Sequence, residues 1–90
     1  MSDLTLHSTL RVHPRVSIRP EPFGALLYHF GTRQLSFLKS PQLLAVVENM
    51  DDATVGEALA TAGVRDAEIP AYLRALDTLR ASEMLVERAA

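Results

Sequence analysis

Polar and apolar residues alternate in the first half of this chain, before a second half with a helical period. Over residues 15–19 the alternation is strict and places Val16 and Ile18 on one face of a predicted β-strand. Pro20 and Pro22 follow, and because proline cannot donate to a strand ladder, we expect the pairing to stop there. The pattern therefore predicts a short first strand that ends at the prolines.

Two further apolar runs predict the rest of a sheet. Residues 25–30 are mostly apolar, which is typical of a central strand covered on both faces. Gly31 supplies the glycine that a tight hairpin needs, and the segment Gln34–Leu38 returns with Leu35 and Phe37 facing inward. We therefore expect three antiparallel strands, with the last one at an edge.

Capping signals mark the first two predicted helices. Ser40 can cap the first helix with its hydroxyl, and Pro41 suits the first helical position, where no amide donor is needed. Thr54 and Glu57 form a capping box for a short second helix, which Gly63 ends. The predicted boundaries of both helices therefore rest on side chains that bond to the backbone locally.

A third helix begins between residues 66 and 70, because proline is tolerated only in a first turn, and it extends to about residue 82. Residues 84–86 fit either a continuation of this helix or a short terminal strand. Residues 1–13 have no sustained period and predict a flexible N-terminal arm, followed by one domain over residues 14–90. The predicted fold is α+β and winged helix-turn-helix-like, with a three-stranded antiparallel sheet followed by three helices.

Composition narrows the class of protein. The chain has 90 residues, of which 48% are hydrophobic, and this balance suits one compact domain. It contains no cysteine, which excludes disulfides, thiolate catalysis and cysteine-bound metal centres. Residues 1–12 lack the apolar run of a signal peptide, and no segment has the length of a membrane span. We therefore expect a cytoplasmic protein without a membrane partner.

The sequence does not indicate catalytic or metal-binding residues. His7, His13 and His29 lack the spacing of a helical metal pair and have no acidic ligands beside them. The serines lack a glycine-framed nucleophile elbow, and no carboxylates cluster as general acid and base. We therefore expect no metal, no cofactor and no enzymatic activity.

Charge is distributed unevenly and bears on two alternative functions. Residues 1–40 carry five basic and two acidic residues, whereas residues 41–90 carry nine acids and four arginines. A winged-helix DNA-binding protein needs basic residues clustered on its recognition element, but residues 54–80 hold more acids than arginines, so we expect no nucleic-acid partner. DNA binding and homo-oligomerisation through a free strand edge remain the alternatives.

The edge strand Gln34–Leu38 favours recognition of a peptide by strand addition. An extended peptide could pair with its unpaired amides and carbonyls while alternate side chains enter pockets beside the sheet. The third helix could form the other wall with Tyr72, Leu76 or Leu79, although a core also requires an inward leucine stripe. We expect Ser36→Pro to remove an edge amide and so to test this mode of binding.

Several strings of residues resemble a known family. Residues 25–31 (ALLYHFG), the Leu35-Ser36 step and residues 51–59 (DDATVGEAL) look like the peptide chaperone of pyrroloquinoline quinone biosynthesis. The longer string VHPRVSIRPEPFGALLYHFGTR at residues 12–33, followed by LKSP at residues 38–41, resembles more closely the peptide chaperone of mycofactocin biosynthesis. Together the strings cover about residues 12–87.

The resemblance implies a non-catalytic recognition element for ribosomally made peptides. Such a chaperone binds the leader region of a precursor peptide as an added strand and presents the precursor to a radical S-adenosylmethionine maturase. The iron-sulfur cluster and S-adenosylmethionine would belong to that maturase. The peptide-binding residues that the resemblance implies are Leu35, Ser36, Phe37 and Leu38 on the strand, and Tyr72, Leu76 and Leu79 on the third helix.

Overall fold

The computed structural model describes residues 4–88, which fold into two sheets and three α-helices. The strands are β1 (Leu10–Val12), β2 (Val16–Glu21), β3 (Gly24–His29), β4 (Gln34–Leu38) and β5 (Leu85–Glu87). The helices are α1 (Pro41–Glu48), α2 (Val55–Thr61) and α3 (Ile69–Ala81), with a 3₁₀ turn at Asp66–Glu68. The predicted α+β order, three antiparallel strands followed by three helices, is confirmed.

The main sheet has the order β2-β3-β4, and both neighbouring pairs are antiparallel. Its first strand is longer than predicted, because Pro20 lies within β2 opposite Ala25. Glu21 and Gly24 close the two-residue turn, so the alternation of the ladder directs the backbone at position 20 away from β3. An edge strand tolerates proline at such a position, since no donor is missing from the ladder.

The side chains of β4 face opposite to the prediction. Leu35 and Phe37 were expected to point inward, but they are 59% and 58% exposed. Ser36 lies opposite Leu27, which is fully buried, so the even-numbered positions of β4 share the inner face of the sheet. The expectation that the central strand is covered on both faces is also wrong, because the face that carries Leu35 and Phe37 stays open.

The hairpin loop between β3 and β4 depends on His29 rather than on a left-handed glycine. The His29 Nδ1 atom accepts hydrogen bonds from the backbone N–H groups of Gly31 (3.0 Å) and Thr32 (3.1 Å). The left-handed residue of the loop is Arg33, with φ of 63°. Gly31 is required for another reason, because a Cβ atom there would lie 2.8 Å from the His29 ring.

A second, two-stranded sheet joins the two ends of the described chain. β1 pairs antiparallel with β5, and Leu10 and Leu85 are both fully buried. Residues 10–12 were predicted to be part of a flexible arm, but the structure places them in a strand. The sequence pattern did not show this strand, because its partner lies far away in sequence. Residues 1–3 of the predicted arm, and residues 89 and 90 of the predicted domain, lie outside the described residues.

The capping predictions for the first two helices are confirmed. Ser40 Oγ accepts a hydrogen bond from the Leu43 N–H at 3.0 Å. Thr54 and Glu57 form the reciprocal capping box, with bonds of 2.9 and 3.1 Å. Gly63 has φ of 80° and ends α2 in the left-handed region, where glycine is favoured.

One hydrophobic core lies between the inner face of the main sheet, the helices and the second sheet. α1 packs on β3, and α3 packs on β5. This arrangement leaves β4 at an edge of the main sheet, beside α3. The largest fully buried side chains are those of Leu10, Leu27, Leu38, Met50, Leu59, Leu76, Met84 and Leu85.

Candidate functional site

Hydrogen-bond directions along β3 determine which groups β4 can offer to a ligand. The Phe30 N–H donates to the Arg15 carbonyl at 2.9 Å, so these two residues are a hydrogen-bonded pair of the β2–β3 ladder. Backbone groups of successive residues point alternately to either side of a strand. The groups of Ala25, Leu27 and His29 are therefore directed at β4.

The free edge of β4 is formed by the backbone of Leu35 and Phe37. The residues opposite the three β4-directed positions of β3 are Leu38, Ser36 and Gln34, and their groups are used within the sheet. Leu35 and Phe37 alternate with them, so the N–H and C=O groups of these two point away from β3. The expectation that Ser36→Pro removes an edge amide is therefore wrong, because the Ser36 N–H is directed at β3.

An apolar groove runs along this edge, between β4 and α3. Its main part has a volume of about 440 Å³, and a second part of about 190 Å³ continues it toward the start of α3. The two parts share Lys39, Leu43 and Ala75. The remaining lining residues are Ser36, Phe37, Leu38, Thr78 and Leu79 in the main part, and Ser40, Ala71 and Tyr72 in the second part.

The predicted residues of α3 divide between the groove and the core. Tyr72 lines the second part of the groove, and its hydroxyl donates to Gln42 Oε1 at 2.9 Å. Leu79 lines the main part and keeps a small exposed fraction, 6%. Leu76 is fully buried in the core and does not line the groove.

The predicted residues of β4 occupy two faces of the sheet. Ser36 and Leu38 line the groove from the inner face, although Leu38 is fully buried. Phe37 also lines the groove, but much of its ring is exposed on the outer face. Leu35 lies on the outer face and contributes to the edge through its backbone rather than its side chain.

Sequence reasoning missed the small residues that keep the groove open. Ala71, Ala75 and Thr78 have the spacing of one helical face and line the groove opposite β4. Their i, i+4, i+7 pattern was the available signal, because small side chains on a helix next to a strand edge leave room for another chain. Leu43 of α1 lines both parts of the groove.

Lys39 is the cationic side chain that lines the groove, and it forms no ion pair within the described residues. Arg80, on α3, directs its guanidinium at Asp77 (2.9 Å) and Glu87 (3.0 Å). The groove therefore combines apolar walls with a lysine where β4 ends and α1 begins.

Within residues 4–88, no three side chains of the types that bind metals cluster together. None of the helices within these residues combines the length and the hydrophobicity of a membrane span. The fold and the groove define a small binding domain built around an open strand edge.

Comparison with known proteins identifies the family. The model of the peptide chaperone MftB family matches residues 9–86. The chain belongs to this family, whose members are non-catalytic peptide chaperones of mycofactocin biosynthesis. The resemblance of the sequence to the peptide chaperone of mycofactocin biosynthesis is thereby confirmed.

Curated relatives support the same assignment. The chain is 56% identical to the peptide chaperone MftB of Mycobacterium tuberculosis over 79 residues, covering 87% of this chain and 72% of the relative. It is 56% identical to that of Mycobacterium ulcerans over 81 residues, 89% and 74% of the two chains. For Mycolicibacterium smegmatis the identity is 53% over 77 residues, 84% and 76% of the two chains. No solved structure matches the chain.

Proposed function

We propose that this chaperone binds the leader region of a ribosomally made precursor peptide as a fourth strand on β4, and presents the precursor to a radical S-adenosylmethionine maturase. The observation that carries the proposal is the groove of about 440 Å³ beside the edge-directed backbone of Leu35 and Phe37. Main-chain bonds to these two residues would supply affinity that does not depend on the peptide sequence.

Specificity would come from alternate side chains of the peptide. In an added strand, every second side chain points to the inner face and enters the groove between Leu43, Ala75 and Leu79. The walls there are apolar, so leucine, isoleucine, valine or methionine would fit these positions of the leader. Lys39 would favour a peptide with a carboxylate near one end of the bound segment.

Delivery to the maturase follows from holding the leader away from the reacting end of the precursor. Binding the leader tethers the rest of the precursor and raises its effective concentration at any enzyme that also contacts the chaperone. The redox cofactors of that step would belong to the maturase, because this chain contains no cysteine to ligate an iron-sulfur cluster.

Isothermal titration calorimetry of the chaperone with the precursor peptide tests the proposal. We expect saturable one-to-one binding of the native peptide, and no heat from a scrambled peptide or from duplex DNA. Absence of binding to the native peptide, both alone and with the maturase present, would contradict the proposed function. Light scattering of the free chaperone in the same buffer separates peptide binding from self-association through the β4 edge.

A further inference from the structure

The outer face of the main sheet carries a cluster of exposed apolar side chains, of which Phe37 also lines the peptide groove. Five large apolar side chains are exposed among residues 4–88, and four of them, Phe23, Phe30, Leu35 and Phe37, belong to this cluster. We name it the aromatic face; it consists of Phe23, Leu26, Tyr28, Phe30, Leu35 and Phe37.

The rings of the aromatic face form two pairs, which the strand register places on the same side of the sheet. Tyr28 and Phe30 pack edge to face with centroids 4.9 Å apart, and Phe23 lies 6.3 Å from Phe37. Leu35 lies opposite Tyr28 in the β3–β4 register. Scattered surface leucines need no explanation, but a contiguous exposed cluster of aromatic rings marks an interaction surface.

Charge around the aromatic face indicates the chemistry of its partner. Two exposed arginines lie on the outer side of β2: Arg15, which pairs with Phe30 across the ladder, and Arg19. Arg19 lies opposite Leu26, which places it on this face, and its side chain is 76% exposed although it pairs with Glu21. A second copy packed face to face would bring like charges together, whereas a surface with carboxylates would be attracted.

We propose that the aromatic face is the docking surface for the maturase, through a patch on that enzyme that combines apolar side chains with carboxylates. This inference rests on the proposed function, which supplies the enzyme as a partner. The aromatic face and the groove share the β4 edge, so a docked enzyme lies directly beside the bound leader. An apolar centre with Arg15 and Arg19 on its β2 side matches the usual distribution in protein interfaces.

The same geometry couples docking to peptide binding. A peptide paired with β4 places every second side chain beside Leu35 and Phe37, on the outer side of the sheet. The loaded chaperone therefore presents peptide side chains next to the aromatic face, and a docked maturase can contact both. The maturase binds the loaded form more tightly, and by thermodynamic reciprocity the peptide gains the same factor from the maturase.

The experiment measures the affinity of purified maturase for immobilised chaperone, with and without saturating precursor peptide. The test variant is Phe23→Ser/Phe30→Ser, which changes the aromatic face at residues that do not line the groove. The matched control is Leu6→Ser, which removes an exposed apolar side chain elsewhere. We expect the double variant to weaken maturase binding about tenfold or more, and the control to change it less than about twofold. Peptide affinity, titrated separately, stays unchanged in both variants.

Several results would overturn the inference. Maturase affinity that is equal in the double variant and the wild type is one of them. Conversion of a wild-type dimer to a monomer by the double variant, at unchanged maturase affinity, would assign the aromatic face to a second copy. If the wild type binds phosphatidylglycerol vesicles and the double variant does not, again at unchanged maturase affinity, the aromatic face would be assigned to an anionic membrane. Failure of the wild type to bind the precursor peptide would contradict the proposed function instead. The separate peptide titration distinguishes this outcome from the others.

Discussion

The imidazole rings of His13 and His29 lie against each other, with centroids 4.3 Å apart. Each ring uses its Nδ1 atom to accept a backbone N–H: that of Arg15 for His13, and those of Gly31 and Thr32 for His29. Both neutral rings therefore carry their proton on Nε2. A metal ion bound at either Nε2 would require the other tautomer. The two rings therefore stabilise the backbone of two loops, at Arg15 and at Gly31 and Thr32, rather than forming a metal site.

We expect His29→Phe to lower the free energy of unfolding by about 1 kcal/mol, because two part-buried backbone N–H groups lose their acceptor. The loss is moderated because the substitution also removes Nε2, which is buried without a partner among the described residues. Urea unfolding measures the effect. His13→Phe is the control, since it frees only one exposed amide; an equal loss in both variants would contradict the assigned role of His29.

Proline substitutions distinguish the two sides of β4. We expect Leu35→Pro to remain folded and to lose most of its peptide affinity, because the Leu35 N–H is directed at the free edge. Ser36→Pro removes a bond within the sheet and should lower the free energy of unfolding by about 1–3 kcal/mol. Circular dichroism and peptide titration measure the two effects. Leu35→Ala controls for the lost side chain, and normal peptide binding by folded Leu35→Pro would contradict strand addition at this edge.

Filling the groove should block the peptide without disturbing the fold. Ala75 lines both parts of the groove, so Ala75→Leu is expected to weaken precursor binding by about tenfold or more, which corresponds to about 1.4 kcal/mol. Ala81→Leu, the same change at an exposed position of α3 outside the groove, should leave the affinity unchanged. Titration calorimetry gives both values, and equal affinities would exclude the groove as the binding site.

The capping box of α2 predicts a pH dependence of stability. The Thr54 backbone N–H and then the Thr54 hydroxyl lower the pKa of Glu57 below its ordinary value of 4.5. A lowered pKa in the folded state means that the stabilisation is present above pH 4.5 and is lost as the pH falls through the lowered value. Glu57→Ala should therefore reduce the thermal midpoint at neutral pH, and the two proteins should converge in acid.

Glu57→Gln serves as the matched variant for this pH dependence, since glutamine keeps an acceptor for the Thr54 N–H but has no charge. We expect its midpoint at neutral pH to lie between those of the wild type and Glu57→Ala. A midpoint difference between wild type and Glu57→Ala that stays constant down to strongly acidic pH would show that ionisation of Glu57 does not contribute.

Local signals in the sequence were sufficient for the helices and for the existence of the main sheet. The Ser40 cap, the Thr54–Glu57 box and the left-handed Gly63 involve groups within a few residues of one another, so the sequence alone specifies them. The β4 edge could also be chosen as a candidate site from the sequence, because three consecutive antiparallel strands joined by short turns leave the last strand at an edge.

Long-range pairing explains what sequence reasoning could not supply. β1 contains only three residues, and its partner β5 lies near the other end of the chain, so no local pattern reveals it. The facing of β4 was also misjudged, because five alternating residues allow either face to be buried. The register with Leu27 decides between them, and it places Phe37 on the aromatic face. The prediction failed because apolar side chains usually prefer the core, whereas Phe37 is exposed.

The pairing of β1 with β5 also constrains the order in which the molecule folds. The residues that line the groove lie at 36–43 and 71–79, at most 43 positions apart in sequence, whereas Leu10 of β1 pairs with Glu87 of β5, 77 positions away. Contacts of such high sequence separation form late, since a long loop must close first. We therefore expect a nascent chain to assemble its groove before its ends join, and pulsed hydrogen exchange during refolding should show the amides of β1 as the last to become protected.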